Sequence, residues 1–367
     1  MRAASENAEK TPLEERLITL IEANGPITVA DYMADALGHP HDGYYASRDA
    51  IGADGDFTTA PEISQIFGEL IGLWLVQTWI DMGEPARFNL IELGPGRGVL
   101  MADIVRAAAL RPEFLKAAQI LLVESSGRLR HEQQRRLRNI SPFVDWLDAL
   151  DDAPEGPALI IGNEFFDCLP IRQFEKVENG WRERLISVSD GALAFTLALT
   201  PPPPELELPA PETADKGDIY ELCEDRDVLC DQIARIVKAD KGRALIIDYG
   251  RVKSGVGETL QAVRDHEYWP VLASPGYADI TAHVDFDALA RRAIEAGAGV
   301  FGPAQQGAFL ERLGLALRVQ RLCAGKTPKE QADIHAAAHR LASPSQMGEI
   351  FKALCISSPD LAPPPGF

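Results

Sequence analysis

Two groups of residues in this chain could do chemistry: three closely spaced glycines, and a set of carboxylates after apolar runs. "IELGPGRGVL", residues 91–100, puts Gly94, Gly96 and Gly98 directly behind an apolar run. Positions without a side chain let a backbone approach a ligand and adopt left-handed turns. The spacing is G-x-G-x-G. The dinucleotide fingerprint is G-x-G-x-x-G, and no Lys-Ser/Thr pair follows as in a phosphate loop. A pyrophosphate is therefore not the expected guest. "GNEFFDCLP" (162–170) offers Asn163, Glu164 and Asp167, and "GDFTTAPEIS" (55–64) offers Asp56 and Glu62. Neighbouring carboxylates suit a cationic guanidinium or ammonium through charge-assisted, bidentate pairing. Each cluster also has a structural reading: a helix N-cap group at 163–167, and a capping box of Thr59 with Glu62.

Glu92 completes E-x-G-x-G-x-G, with Pro95 between the first two glycines. That loop is typical of S-adenosylmethionine (SAM) methyltransferases, so Glu92, Gly94, Pro95, Gly96 and Gly98 are the expected cofactor cradle. Glu124 ends the next apolar run, where an acid can accept hydrogen bonds from both ribose hydroxyls; the same geometry would serve NAD. "DWLDAL" (145–150) follows the third run, and Trp146, Leu147 or Asp148 could line the adenine edge. His335 and His339 in "HAAAH" have i,i+4 metal spacing but lack the Glu of H-E-x-x-H and a third ligand, so an exposed helix is expected there and no metal site. The chain has no G-x-S-x-G nucleophile elbow.

These residues need a scaffold that gathers strand ends. Five short apolar runs read as buried parallel strands: "FNLIELG" (88–94), "AQILLVES" (118–125), "PFVDW" (142–146), "ALIIGNEFF" (158–166) and "RALIIDYG" (243–250). Helix-like segments such as "VLMADIVRAAAL" and "SGRLRHEQQRRL" alternate with them, which predicts a doubly wound α/β sheet. Asn179-Gly180 and Asp190-Gly191 mark turns of an antiparallel meander inserted at about 170–240. The proline run "TPPPPELELPAPE" follows as an exposed spacer, then the helical "DRDVLCDQIARIVKAD". Residues 1–87 are expected to form an N-terminal helical lobe covering the active site. It holds the helix candidates "PLEERLITLIEANG" and "PEISQIFGELIGLWLVQTWIDMG", with an irregular aromatic stretch between. Residues 88–367 form the sheet domain. After "RALIIDYG" a loop-rich segment leads to helical additions at about 285–345, and "FKALCIS" reads as an edge strand.

Composition narrows the class. The 367 residues are 46% hydrophobic, enough for a sizeable core, and carry a net charge of −19. That balance argues against nucleic acid as a partner and fits a basic protein segment. Five scattered cysteines without C-x-x-C suggest reduced thiols and a reducing compartment. "MRAASENAEKTPLEERL" holds four Glu and resembles neither a signal nor a transit peptide. No run approaches the ~20 apolar residues of a membrane span, so membrane insertion is not expected. A cytoplasmic location follows for a bacterial source, and the mitochondrial matrix for a eukaryotic one.

"HPHDGYYASRDAIGADGDFTTAPEISQIFGELIGLWL", "IELGPGRGVLMADIVRA", "GNEFFDCLPIRQF", "IIDYG", "PGYADITAHVDFDAL", "GPAQQGAFLERLG" and "MGEIFKAL" together resemble the MidA-type SAM-dependent methyltransferases, in order over about residues 10 to 358. This family includes the mitochondrial complex I assembly factor that methylates an arginine of a core subunit. The resemblance implies a class I SAM-methyltransferase fold, SAM as cofactor, and methyl transfer to a protein arginine, with a complex I subunit as acceptor. Departures from the family pattern are Val99, where Thr or Ser is more usual, Ile51 for Phe, and Ala262-Val263 in place of an arginine-containing stretch. The competing readings are a small-molecule SAM methyltransferase, a non-catalytic SAM-binding assembly factor and, least favoured by the glycine spacing, an NAD dehydrogenase. Glu164 and Asp167 are the expected orienters of the acceptor, with Asn163 beside them and Asp56 or Glu62 contributing from the lobe.

Overall fold

The five apolar runs pair in parallel at the centre of the molecule. The computed structural model describes residues 10–47, 58–138, 140 and 144–367. Across the main sheet the strands run Val144–Leu147, Ala118–Val123, Phe88–Leu93, Ala158–Asn163, Arg243–Arg251, Phe351–Ser357 and Gly299–Gln305. Ile91 lies between Leu121 and Ile160, and Leu245 pairs with Ile161. The chain enters at Phe88–Leu93, winds outward one way, then returns to build the other half from Ala158–Asn163. The strand order therefore switches between these two, and their carboxyl ends open a crevice there.

Alternate strand residues feed opposite cores, as a pleated sheet with both faces covered requires. Leu90, Ile120, Leu122, Ile161, Leu245 and Ile247 pack under the helices Gln65–Asp81 and Val99–Ala108. Ile91, Leu121, Ile160, Ala244 and Ile246 pack under Glu224–Ala239 and Phe286–Glu295. Gln65–Asp81 is apolar nearly all round, and Ile66, Phe67, Ile71, Trp74 and Leu75 are buried to within 1% exposure, the pattern of an internal helix. A third core joins Leu13, Leu17, Tyr32 and Met33 of the N-terminal helices Pro12–Asn24 and Val29–Gly38 to Ile186 of the insertion.

The insertion is a meander of Arg172–Val177, Gly180–Ser189, Ala192–Leu197 and Ile219–Leu222. Asp190 (φ 53°) and Gly191 (φ 74°) both take the left-handed conformation that a two-residue primed hairpin turn requires. A short strand from the N-terminus, Ile27–Thr28, adds to this sheet by pairing Ile27 with Ile186.

Helices Pro12–Asn24 and Val29–Gly38 pack with the insertion in the third core, and Gln65–Asp81 packs on the main sheet. Several expectations about individual elements are corrected. The stretch between the two expected N-terminal helices is not wholly irregular: Thr28 and Asp31 form a reciprocal capping box that starts Val29–Gly38. The expected helix from Pro61 to Gly83 breaks at Ser64, which is extended (φ −162°, ψ 136°) and caps the second piece by accepting from Ile66 N–H. Thr59 makes no side-chain cap, so its capping box with Glu62 is absent. Phe351–Ser357 is not the edge, because Gly299–Gln305 covers it. The loop-rich segment holds a small antiparallel sheet of Gln261–Arg264, Glu267–Trp269 and Asp279–Thr281.

Arg243 begins the last parallel strand and is fully buried. Its guanidinium donates to Ser357 Oγ (3.1 Å), Asp81 Oδ2 (3.3 Å) and the Ala362 carbonyl, tying helix Gln65–Asp81 and the C-terminal segment to the sheet. Arg243→Ala strands these acceptors and opens a cavity. It is expected to cost about 3 kcal/mol, read as a lower urea midpoint at unchanged m-value. A loss under ~1 kcal/mol would show that the tie contributes little.

Candidate cofactor and acceptor site

The switch point opens into a cleft of ≈ 270 Å³. Its lining includes Glu92, Gly94, Pro95, Gly96, Glu124, Asp148, Asn163, Glu164 and Glu62 from the expected set. Tyr45, Thr59, Arg97, Ser125, Phe165 and Cys168 also line it. Asp167 lies just behind, buried. Trp146 and Leu147 do not line it: both pack against the cores, and the Trp146 indole N–H donates to Gln133. Asp148 reaches the rim with its side chain largely exposed, paired to Arg130 at 2.5 Å. Gly98 takes the left-handed turn (φ 76°) that starts helix Val99–Ala108. Asp56 falls outside the described residues.

The glycine loop is held from both sides. Gly94 has φ 58°, and a Cβ there would lie 2.4 Å from the Phe165 ring. A side chain at Gly94 would thus strike the protein itself before any ligand. Gly94 N–H donates to the Val123 carbonyl at 3.1 Å, which brings the loop against the strand that carries Glu124. Glu124 accepts from Ser126 N–H (2.8 Å) and Gln133 (3.2 Å).

The acids on the other wall depend on Asp248, which in the sequence is part of the strand motif "IIDYG". Asp248 ends the fully buried part of Arg243–Arg251. One of its oxygens accepts three consecutive main-chain N–H groups, from Phe165 (3.2 Å), Phe166 (2.9 Å) and Asp167 (3.2 Å). The other accepts from Tyr249 N–H at 2.9 Å. The gathered turn holds Glu164 at φ 50°, an uncommon conformation for a residue with a side chain. Glu164 N–H donates to the Ile247 carbonyl (2.9 Å). Its Oε1 accepts from Ala60 N–H (2.8 Å) and the Asn163 amide (3.1 Å). The Asp167 carboxyl accepts from the Tyr249 hydroxyl.

Crowded carboxyls share one electrostatic problem. Burial pushes Glu92 up to about 8, and the nearby Glu124 charge adds to it. Burial likewise raises Glu164 to about 7, with a contribution from Asp167, and Asp167 to about 6. Asp248 is raised by burial and by the charges of Asp167 and Glu164, against the pull of its N–H donors. Glu92 Oε2, Asn163 Oδ1 and Glu62 Oε1 are buried without a hydrogen-bond partner among the described residues, although Arg97 Nη1 stands 3.7 Å from that Glu62 oxygen. Buried acceptors without donors are costly. A cationic ligand rich in hydroxyl and ammonium donors would satisfy them, which is the chemical character of SAM.

The chain belongs to the SAM-dependent methyltransferases of the MidA type. Residues 70–304 match the family described as "Putative S-adenosyl-L-methionine-dependent methyltransferase". The mouse protein arginine methyltransferase NDUFAF7, a mitochondrial protein, is 37% identical over 95% of this chain and 84% of its own length. Its Drosophila melanogaster homologue is 36% identical over 94% of this chain and 84% of its own length. A crystal structure of a COG1565 superfamily member from Burkholderia thailandensis, bound to S-adenosyl-homocysteine, superposes with a TM-score of 0.83. It is 27% identical, covering 96% of this chain and 93% of that one. SAM is thus the cofactor of this class. Among the described residues no helix is long and apolar enough to cross a membrane.

Raised carboxyl pKa values set a stability trend. Glu92, Glu164 and Asp167 bind protons more tightly folded than unfolded, so their contribution is full below about pH 4 and is lost as pH rises through about 6 to 8. The ligand-free protein is expected to melt lower at pH 8 than at pH 5.5, and saturating SAM should narrow the difference. A ligand-free Tm that rises with pH over this range would contradict the assignment of these protons.

Proposed function

We propose that this protein transfers a methyl group from SAM to an arginine side chain of a protein. The observation that carries the reading is the acidic turn Asn163–Asp167, fastened by Asp248 beside the glycine loop. The named arginine methyltransferase relatives, similar over most of their length, support the acceptor type. A respiratory complex I core subunit is the acceptor protein we propose. The reaction would run in the cytoplasm of a bacterium or in the mitochondrial matrix.

Glu92, Gly94, Pro95, Gly96 and Gly98 would hold the methionine part and the nucleoside, and Glu124 the ribose. Asp148 would stand at the adenine edge. Trp146 and Leu147 would support that edge from behind. Bound SAM supplies an already activated methyl, so the protein's task is to position and to exclude water. A guanidinium stays protonated at neutral pH and offers N–H donors in a planar fork. Glu164 and Asp167 would pair with it and turn one nitrogen toward the methyl. Asn163 would fix the Glu164 carboxylate, and Glu62 would close the site from the short helix Ala60–Ile63. The nitrogen's proton becomes acidic only as the new bond forms, and Glu164 or Asp167 would take it late. We further propose that the N-terminal helices and the inserted meander act as one module flanking the acceptor entrance.

Glu124→Ala should weaken SAM binding by roughly 1–3 kcal/mol, measured by titration calorimetry; a change under twofold would mean the ribose is held elsewhere. Glu164→Gln should keep SAM affinity and slow single-turnover methylation of the mapped protein substrate by a factor on the order of 100 or more. In the wild type, kcat/KM for the acceptor should rise through about pH 6 to 7 as Asp167 and Glu164 ionise. Full activity in Glu164→Gln, Asp167→Asn and Glu62→Gln alike would remove the acidic clamp from the mechanism.

A further inference from the structure

Helix Gly127–Leu137 is polar along its exposed side, yet it buries one amide completely: Gln133 has no exposed surface. Its Nε2 donates to the Gly96 carbonyl at 2.7 Å and to Glu124 Oε2 at 3.2 Å. Its Oε1 accepts from the Trp146 indole N–H at 2.7 Å. The Gln133 Cγ also lies 3.4 Å from where a Cβ on Gly98 would stand. One side chain thus joins the glycine loop, the acid that ends strand Ala118–Val123, and the aromatic residue of strand Val144–Leu147.

The three partners make the arrangement directional. A primary amide has two N–H donors and one carbonyl. Indole offers only a donor, so Trp146 fixes which end of the amide faces it. The NH₂ group is then aimed at two acceptors that otherwise repel donor-free neighbours: a main-chain carbonyl and a carboxylate. Buried and fully paired, the group is rigid; with one partner removed, it leaves an unpaired polar atom in a dry site. We propose that Gln133 is a positioning residue for the cofactor. It sets the spacing between the Gly96 turn and the Glu124 carboxylate, and Trp146, which lies outside the cleft lining, acts on the cofactor through it. This rests on the reading that the cleft binds SAM.

The test is a double-mutant cycle read by calorimetric SAM binding and by thermal melting. Gln133→Leu should raise the SAM Kd by about 30-fold or more, the scale of hydrogen bonds to a charged group. Trp146→Phe keeps an aromatic ring but drops the N–H, and should raise Kd about fivefold by freeing the amide to turn. The double variant should bind no more weakly than Gln133→Leu within about twofold, because Trp146 has nothing left to orient. The isosteric Gln133→Glu fills the same volume without the NH₂ donors and should also weaken binding about 30-fold or more, so it carries the test if Gln133→Leu does not fold. A Kd within threefold of wild type in Gln133→Glu or Gln133→Leu would overturn the inference. So would single-variant effects on Kd that simply multiply. Absence of SAM binding by the wild type would instead overturn the cofactor reading beneath it.

Discussion

One carboxylate organises one wall of the cleft. Asp248 gathers three successive main-chain N–H groups on a single oxygen, and the turn from Glu164 to Asp167 follows from that gathering. Left alone, a non-glycine residue at positive φ would relax toward the ordinary regions, at a gain of about 1 kcal/mol or more. The hydrogen bonds of Asp248, with Ile247 and Ala60 on Glu164 itself, hold it in place. The cost is electrostatic. Three acids now share a dry pocket: burial raises each of them, Asp167 adds to Glu164, and both of these raise Asp248 further. Such a site favours a positively charged visitor without needing a basic residue of its own to recognise anything.

Charge and burial work together across the whole cleft. The glycine wall contributes Glu92 and Glu124, and the turn wall contributes Glu164 with Asp167 behind it; Glu92 and Glu164 stay partly protonated near neutrality. Each cation that enters draws these groups toward their charged form. Binding of ligands there is therefore linked to release of protons. The same acids that would orient a guanidinium also explain why the bare protein keeps some of its protons longer than exposed carboxyls would.

The parallel strands were readable because both of their faces are buried and their runs are short and bounded by turn residues. The glycine loop was readable because its spacing is local. Glu164 and Asp167 were readable from their position after a strand. Asp248 was not: in "IIDYG" it looks like any acid at a strand end, and only the adjacency of Arg243–Arg251 to Ala158–Asn163 puts it under the turn. Gln133 is likewise one of several polar residues in a helix until the fold turns it inward. Trp146 sits at the expected strand end but faces Gln133, since one residue of shift along a strand reverses the side chain's face. The break at Ser64 and the three short strands after Arg251 lie below the length at which periodicity speaks.

The pairing of Ile27 with Ile186 has a consequence for biosynthesis. The N-terminal strand leaves the ribosome well before the hairpin that receives it, and half of the central sheet is made in between. Its apolar partners Leu13, Leu17, Tyr32 and Met33 have no finished surface to dock on until that hairpin emerges. During translation residues 12–38 therefore wait with their apolar side uncovered until that hairpin is made. The long loop it closes also raises the contact order of the fold, which slows folding. Strands Arg243–Arg251, Gly299–Gln305 and Phe351–Ser357 come after that hairpin in the chain, so the N-terminal helices can meet their partner strand before the central sheet is complete.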